Sequence, residues 1–326
     1  MADIAPGSDE DEARIARAGL VRQIDAAGAW AEDPAWRTAF TEIPRHLFVP
    51  YYYVGVGGGY RRLWGEDPDP AQHTRWLRGA YADTALATRV RDGELVSSSS
   101  QPSLMALMLT ALRVQDQPPS RVLEIGAGSG YNAALLAHRL GDEQVTTIDL
   151  DPEITATARE HLAAVGRHPH VVTGDGARGW PARAPYDRII ATCTLATVPR
   201  AWLAQCRPGA LVLTPFATGL LLLRVQDAEH AEGRFLDTSA FFVPLRGTSP
   251  PPEDTREPAG LPRRALRHDL FRFLLALTGH RLTPQEALAL WHQEHHPERA
   301  RYGVSVRGPE AWAWLDDPEG PYTWRL

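Results

Sequence analysis

Through the middle of the chain, short apolar runs alternate with longer amphipathic ones. The apolar runs at 121–125, 144–149, 170–173, 186–192 and 209–215 predict strands; 131–140, 152–165 and 199–206 predict helices. That rhythm predicts an α/β fold, a parallel sheet with helices on both faces. After 215 two strand runs follow, 219–226 and 233–242, predicted antiparallel and joined by a polar turn.

The flanks are less regular. Residues 1–10 predict disorder. Ile15, Leu20, Val21 and Ile24 predict a helix over 12–27, and 33–40 predicts a second short one. IPRHLFVP, 43–50, reads as extended between its prolines. Residues 51–80 lack a clear period and read as a long loop or lid, and 85–96 as a small hairpin or strand. VSSSSQP, 96–102, disfavours helix because serine hydroxyls compete for backbone groups. A helix is predicted at 103–112, with Leu104, Leu107, Met108 and Leu112 on one face. Proline and charge make 248–262 a linker. Beyond it, 266–277 and 284–292 predict helices, and Trp291, Trp312, Trp314 and Trp324 imply a region that packs onto something. The expected organisation is an N-terminal helical region with a lid loop (1–95), a core (96–247), the linker, and a Trp-rich extension (263–326).

Composition narrows the class. With 326 residues, 44% of them hydrophobic, the chain can bury a sizeable core. A net charge of -6 argues against a general nucleic-acid binder, and every Lys/Arg position is arginine. Cys193 and Cys206 have neither metal nor disulfide spacing. The acidic N-terminus lacks an apolar signal region, and no run of about eighteen apolar residues is present. A soluble cytoplasmic enzyme is expected.

The chemistry concentrates at RVLEIGAGSGYNAALLA, 121–137. A strand runs into Gly126, Gly128 and Gly130, and a helix follows: a nucleotide-binding turn. The next strand ends at Asp149, where a carboxylate can accept from both ribose hydroxyls. The pattern is E-x-G-x-G-x-G, not G-x-G-x-x-G. Glu124 at the strand end suits a ligand with a cationic amino acid, such as S-adenosylmethionine, better than a pyrophosphate. Leu150, next after Asp149, is grouped with the cofactor-side residues. The serines at 97–100 precede a helix N-terminus, so Ser100 is placed either to cap that helix or to bond a substrate. Asp175-Gly176 has two readings, a plain turn or an adenine contact, and Asp187 reads as a polar residue starting a buried strand. His292 and His296 stand at i, i+4, but no third ligand is evident and no metal is expected.

Pro44-Arg45-His46-Leu47-Phe48-Val49-Pro50, Ser100-Gln101-Pro102, VLEIGAGSGY at 122–131, Gly174-Asp175-Gly176, Ala184-Pro185-Tyr186-Asp187 and Phe242-Val243-Pro244-Leu245 occur in that order. Together they resemble the protein-L-isoaspartate O-methyltransferases from about residue 40 to 247. The resemblance implies the S-adenosylmethionine-dependent methyltransferase fold, with S-adenosylhomocysteine as product. It also implies methylation of an abnormal aspartyl carboxylate, whose ester collapses to a succinimide. Two departures stand out: a longer 51–84 segment, and a 263–326 tail expected to lie outside the repair fold. With them the chain looks like the branch encoded beside ATP-grasp ligases of ribosomal peptide pathways (graspetides). That branch methylates a normal aspartate of a modified, already crosslinked precursor, and the ester closes to an aspartimide.

The expected roles follow. Ser100 orients the acceptor carboxylate, and Ser98, Ser99 and Gln101 shape the substrate loop. Glu124, Gly126, Gly128 and Gly130 hold the methionine part of the donor, Asp149 the ribose, Asp175 and Gly176 the adenine. The carboxylate is already ionised at neutral pH, so no general base is needed. The competing readings are a repair enzyme and, from another class, a non-catalytic donor-binding module serving a ligase.

Overall fold

The computed structural model describes residues 9–91, 93–247 and 260–326. Of the disorder predicted at 1–10, residues 1–8 fall outside them and Asp9 and Glu10 are helical; most of the predicted linker, 248–259, also falls outside. In chain order the elements are α1 (Asp9–Ala26), α2 (Trp36–Glu42), β1 (Tyr51–Val56), β2 (Gly59–Trp64), α3 (Pro70–Ala80), β3 (Leu86–Arg91), β4 (Glu94–Ser99) and α4 (Pro102–Ala111). Then come β5 (Val122–Ile125), α5 (Tyr131–Leu140), β6 (Val145–Asp149), α6 (Pro152–Ala164), β7 (His170–Thr173), β8 (Tyr186–Ala191), α7 (Arg200–Ala204), β9 (Cys206–Phe216), β10 (Gly219–Val225) and β11 (His230–Ser239). The chain ends with α8 (Arg263–Leu266), α9 (Asp269–Thr278), α10 (Pro284–Gln293), β12 (Tyr302–Arg307), β13 (Glu310–Leu315) and β14 (Thr323–Arg325).

The chain divides into two compact units, 1–119 with 127–173, and 120–126 with 174–326. The first holds a four-stranded sheet, β2-β1-β3-β4, and the parallel pair β6 and β7. Its core gathers Trp36, Phe40, Phe48 and Tyr131, with Phe40 and Phe48 both against the Tyr131 ring. The second holds the strand run β14-β13-β12-β11-β10-β9-β8-β5. There β5, β8 and β9 are parallel, and every pairing from β9 to β14 is antiparallel. β12 is buried along Tyr302–Val306 because both its faces are covered. The tail therefore supplies strands, and Trp291, Trp314 and Trp324 are buried in this unit's core.

Four expectations are corrected. Residues 43–50 are not extended throughout: Arg45–Phe48 forms a 3-10 helix, with Leu47 N–H donating to Pro44 O and Val49 N–H to His46 O. Residues 51–80 are no loop but a hairpin and a helix. Tyr51–Val56 pairs with Gly59–Trp64 in register, and Asp69 accepts from Ala71 N–H at 2.9 Å to cap α3. Ser100 is not the cap of α4; Gln101 holds that position without a side-chain bond, and the Asp83 carboxylate accepts from Ser103 N–H at 2.8 Å. The helix predicted over 266–277 begins later, at Asp269, because extended backbone at His268 (φ -81°, ψ 122°) separates it from α8.

Candidate active site

In the first unit the site is built on β4. Ser97 and Ser99 are buried, while Ser98, Ser100 and Gln101 are half-buried. The segment is fixed from behind by Arg45, which is 0% exposed. Its guanidinium donates to the carbonyls of Ala80 and Ala82 at 3.0 Å each, Thr84 at 3.0 Å, Ser99 at 3.5 Å and Ser100 at 3.1 Å. Burial lowers its pKa to about 10, so it stays charged at neutral pH. One cation thus ties the 80–84 turn to the serine segment. Gln101 Nε2 donates to Ser103 Oγ at 3.0 Å and to Asp83 Oδ2 at 3.3 Å.

The glycine turn meets the same segment. An added Cβ on Gly128 would lie 3.4 Å from Ser98 O and 3.9 Å from Ser97 Oγ. Gly128 N–H donates to Asp149 Oδ2 at 3.4 Å, and Asp149 Oδ1 accepts from Asp151 N–H at 3.2 Å. Gly128 and Gly130 have φ of +51° and +86°, which L side chains rarely adopt. The ring nitrogen Nδ1 of His161 donates to Ser129 O at 2.9 Å and braces the turn from α6. Leu150, just after Asp149, is 41% exposed, an apolar side chain offered to solvent beside a carboxylate.

In the second unit Glu124 is fully buried on β5. Thr192 Oγ1 donates to Gly126 O at 2.8 Å, and a Cβ on Gly126 would come within 2.6 Å of that hydroxyl. Gly126 also has φ +96°. Asp175 Oδ1 accepts from Ala177 N–H at 2.9 Å, which makes the turn reading of this residue real. Gly176 is packed so that a Cβ would meet Ile125 Cγ2 at 2.7 Å, while its carbonyl accepts from Trp202 Nε1 at 2.8 Å. Asp187 accepts from Arg121 N–H at 2.8 Å and from Arg207 at 2.7 Å, so it anchors the start of β5.

Sequence reading missed Arg45, Asp83, His161 and Thr192 as supports. Their bonds reach 35 to 55, 20, 32 and 66 positions along the chain, beyond any local pattern. His292 and His296 meet each other, Nδ1 to Nε2 at 3.3 Å, and His296 stacks on Trp291 at 3.8 Å. No cluster of three His, Cys, Asp or Glu residues able to hold a metal occurs among the described residues.

These features fit a donor such as S-adenosylmethionine. Gly126 and Gly128 are partly exposed and have positive φ, and a buried carboxylate, Asp149, accepts from Gly128 N–H.

The fold places the chain in a class. A solved protein-L-isoaspartate O-methyltransferase aligns over 95% of this chain and 99% of its own, with TM-score 0.61 and 22% identity. A second, from Plasmodium falciparum and in complex with S-adenosyl-L-homocysteine, aligns over 71% and 98%, with TM-score 0.52 and 13% identity. The chain shares the fold of these two proteins. The model for protein-L-isoaspartate(D-aspartate) O-methyltransferase (PCMT) matches residues 72–249. Protein-L-isoaspartate O-methyltransferase 1 of Anaeromyxobacter sp. (strain Fw109-5) is 37% identical over 239 residues, 71% of this chain and 96% of its own. The Methanoregula boonei enzyme is 33% identical over 247 residues, 74% and 95%. The chain belongs to the protein-L-isoaspartate O-methyltransferase family. The family match ends at residue 249, before the 263–326 region. Among the described residues, no helix is long and apolar enough to cross a membrane.

Proposed function

We propose that this chain is an S-adenosylmethionine-dependent O-methyltransferase acting on a side-chain carboxylate of a polypeptide. The observation that carries the proposal is the approach of Gly128 to Ser98 O, with Arg45 holding the carbonyls of Ser99 and Ser100. It sets a cofactor-type glycine turn against a serine segment whose backbone carbonyls are held in place. When bound, S-adenosylmethionine supplies a methyl group that an ionised carboxylate can attack without a base.

The residues then have only to bind, align and exclude water. Glu124, Gly126, Gly128 and Gly130 hold the amino-acid end of the donor, Asp149 the ribose, and Leu150, Asp175 and Gly176 the adenine. Ser100 donates one hydrogen bond to the acceptor carboxylate. A neutral donor orients one oxygen and leaves the other nucleophilic, where an arginine fork would quench both. Ser98, Ser99 and Gln101 shape the acceptor loop.

The acceptor we favour is an aspartate of a ribosomally made peptide, crosslinked beforehand by an ATP-grasp ligase. The hairpin Tyr51–Trp64 supports this reading: it adds aromatic and cationic residues to the sheet that bears the serines. The peptide nitrogen following the aspartate would attack the ester carbonyl, expel methanol and close an aspartimide. The second reading is repair of isoaspartyl residues, supported by the family match and by the named activity of its relatives.

Purified protein, methyl donor and two acceptors separate these readings. Turnover of a crosslinked aspartyl precursor, with no turnover of an isoaspartyl peptide, supports peptide maturation; the reverse supports repair. Unchanged pathway output from Ser100→Ala and Asp149→Ala would leave only a non-catalytic recognition module.

A further inference from the structure

The register of the first unit's four-stranded sheet joins two features that are far apart in sequence. Arg62 of β2 lies opposite Tyr53 of β1, Tyr53 opposite Ala87 of β3, and Ala87 opposite Ser98 of β4. Directly opposed residues of antiparallel strands share a face. Arg62, Tyr53, Ala87 and Ser98 therefore form one row across one face, and alternation adds Tyr51, Tyr60 and Trp64 to it. The other face carries Tyr52, Leu63 and Leu86, all buried, with Tyr52 hydroxyl donating to Trp76 O of α3 at 3.1 Å. Helix α3 covers that side, and Arg61 belongs to it with Leu63.

Arg62 is exposed and stacked on two rings, its guanidinium carbon 4.5 Å from the centre of Tyr51 and 5.6 Å from that of Trp64. Stacking occupies the planes of the guanidinium and leaves its in-plane N–H donors for a carboxylate. Among the described residues Arg62 has no carboxylate in salt-bridge range. Glu66, Asp67 and Asp69 follow the hairpin, and two of these are committed locally: Asp67 accepts from Asp69 N–H, and Asp69 caps α3. In a chain of net charge -6, this is a cationic aromatic face on the sheet whose other edge is the serine strand. From β2 to β4 there are three strand spacings, about 14 Å, which about four extended residues span.

We infer that the Tyr51–Tyr53–Arg62–Trp64 face is the docking surface for an extended, acidic segment of the acceptor polypeptide. The inference deepens the proposed function and rests on it for the identity of the acceptor. A carboxylate a few residues from the methylated position pairs with Arg62, and neighbouring side chains lie on the tyrosine and tryptophan rings. Acceptor choice is then set by charge outside the reacting residue.

The test uses the full chain and a fluorescein-labelled peptide of Asp-Gly repeats, with an Asn-Gly peptide and an oligothymidylate of matching length as comparisons. Anisotropy is read at physiological salt, where screening sets in beyond about 8 Å. The wild type is expected to bind the Asp-Gly peptide most tightly, with Arg62→Glu weakening it about tenfold and Arg61→Glu, pointing from the opposite face, about twofold or less. Circular dichroism and S-adenosylhomocysteine calorimetry on each variant establish that the fold and donor site are intact. Equal losses from both variants, no wild-type preference for Asp over Asn, or tighter binding of the oligothymidylate would overturn the inference. Peptide binding without S-adenosylhomocysteine affinity rejects the methyltransferase reading and leaves the docking face standing. Donor affinity with no effect of Arg62→Glu does the opposite.

Discussion

Arg45 and Ser100 stand 55 positions apart, and the guanidinium of one donates to the carbonyl of the other at 3.1 Å. The contact ties the first 3-10 helix to the serine segment. Arg45→Met keeps bulk and removes the donors, leaving a set of buried carbonyls without their partner. The unfolding free energy in urea is expected to fall by about 3 kcal/mol or more, at about 1–3 kcal/mol per orphaned group. Arg45→Lys reaches fewer carbonyls and should fall between. Wild-type stability in Arg45→Met would contradict the clamp.

Gly126 and Gly141 form a natural contrast. Both have positive φ, +96° and +89°, so alanine at either is strained by about 1 kcal/mol. Only Gly126 also meets a neighbour, Thr192 Oγ1 at 2.6 Å; Gly141 meets nothing within 4 Å. Gly126→Ala should weaken S-adenosylhomocysteine binding by tenfold or more, about 1.4 kcal/mol. Gly141→Ala should cost stability and leave that affinity unchanged. Calorimetry on both decides.

His46 sits beside the Tyr81 hydroxyl, with Nδ1 at 2.7 Å, and burial lowers its pKa from 6.5 to about 4, with Arg17 adding in the same direction. The unfolded chain therefore binds a proton that the folded chain refuses between those values. The resulting stability is present above pH 6.5 and is lost as pH falls towards 4. His161, lowered mainly by burial, acts with the same sign. His46→Gln should flatten the dependence of urea unfolding on pH in this window. An unchanged slope would remove His46 from the account.

Ser100→Ala tests alignment separately from donor binding. The variant should lower kcat for methyl transfer by about a hundredfold, in the range of one positioned hydrogen-bond donor. Its affinity for S-adenosylhomocysteine should stay within about twofold of wild type. Full turnover in the variant would move the orienting role elsewhere on the serine segment.

The glycine turn and its flanks were legible because their signals are local. Helix α5 was expected at 131–140 and is Tyr131–Leu140; β7 was expected at 170–173 and is His170–Thr173. The hairpin at 51–64 was hidden because aromatic residues fill both faces of β1, so polarity does not alternate. Asp69-Pro70, a cap followed by a first-turn proline, was the available sign of α3. The strands of the tail were missed where Tyr302–Val306 is buried on both sides, though the Ala311–Leu315 alternation of small residues and tryptophan foreshadowed β13. Arg45 could not be assigned from sequence, because its partners at Ala80, Ala82, Thr84, Ser99 and Ser100 offer only backbone oxygens.

The most direct measurement of the central claim is mass spectrometry of an aspartyl acceptor peptide after incubation with the purified chain and S-adenosylmethionine. The account predicts a gain of one methyl ester, then loss of methanol to an imide one water lighter than the starting peptide. No mass change in any aspartyl or isoaspartyl peptide, with the protein folded and the donor intact, would contradict it.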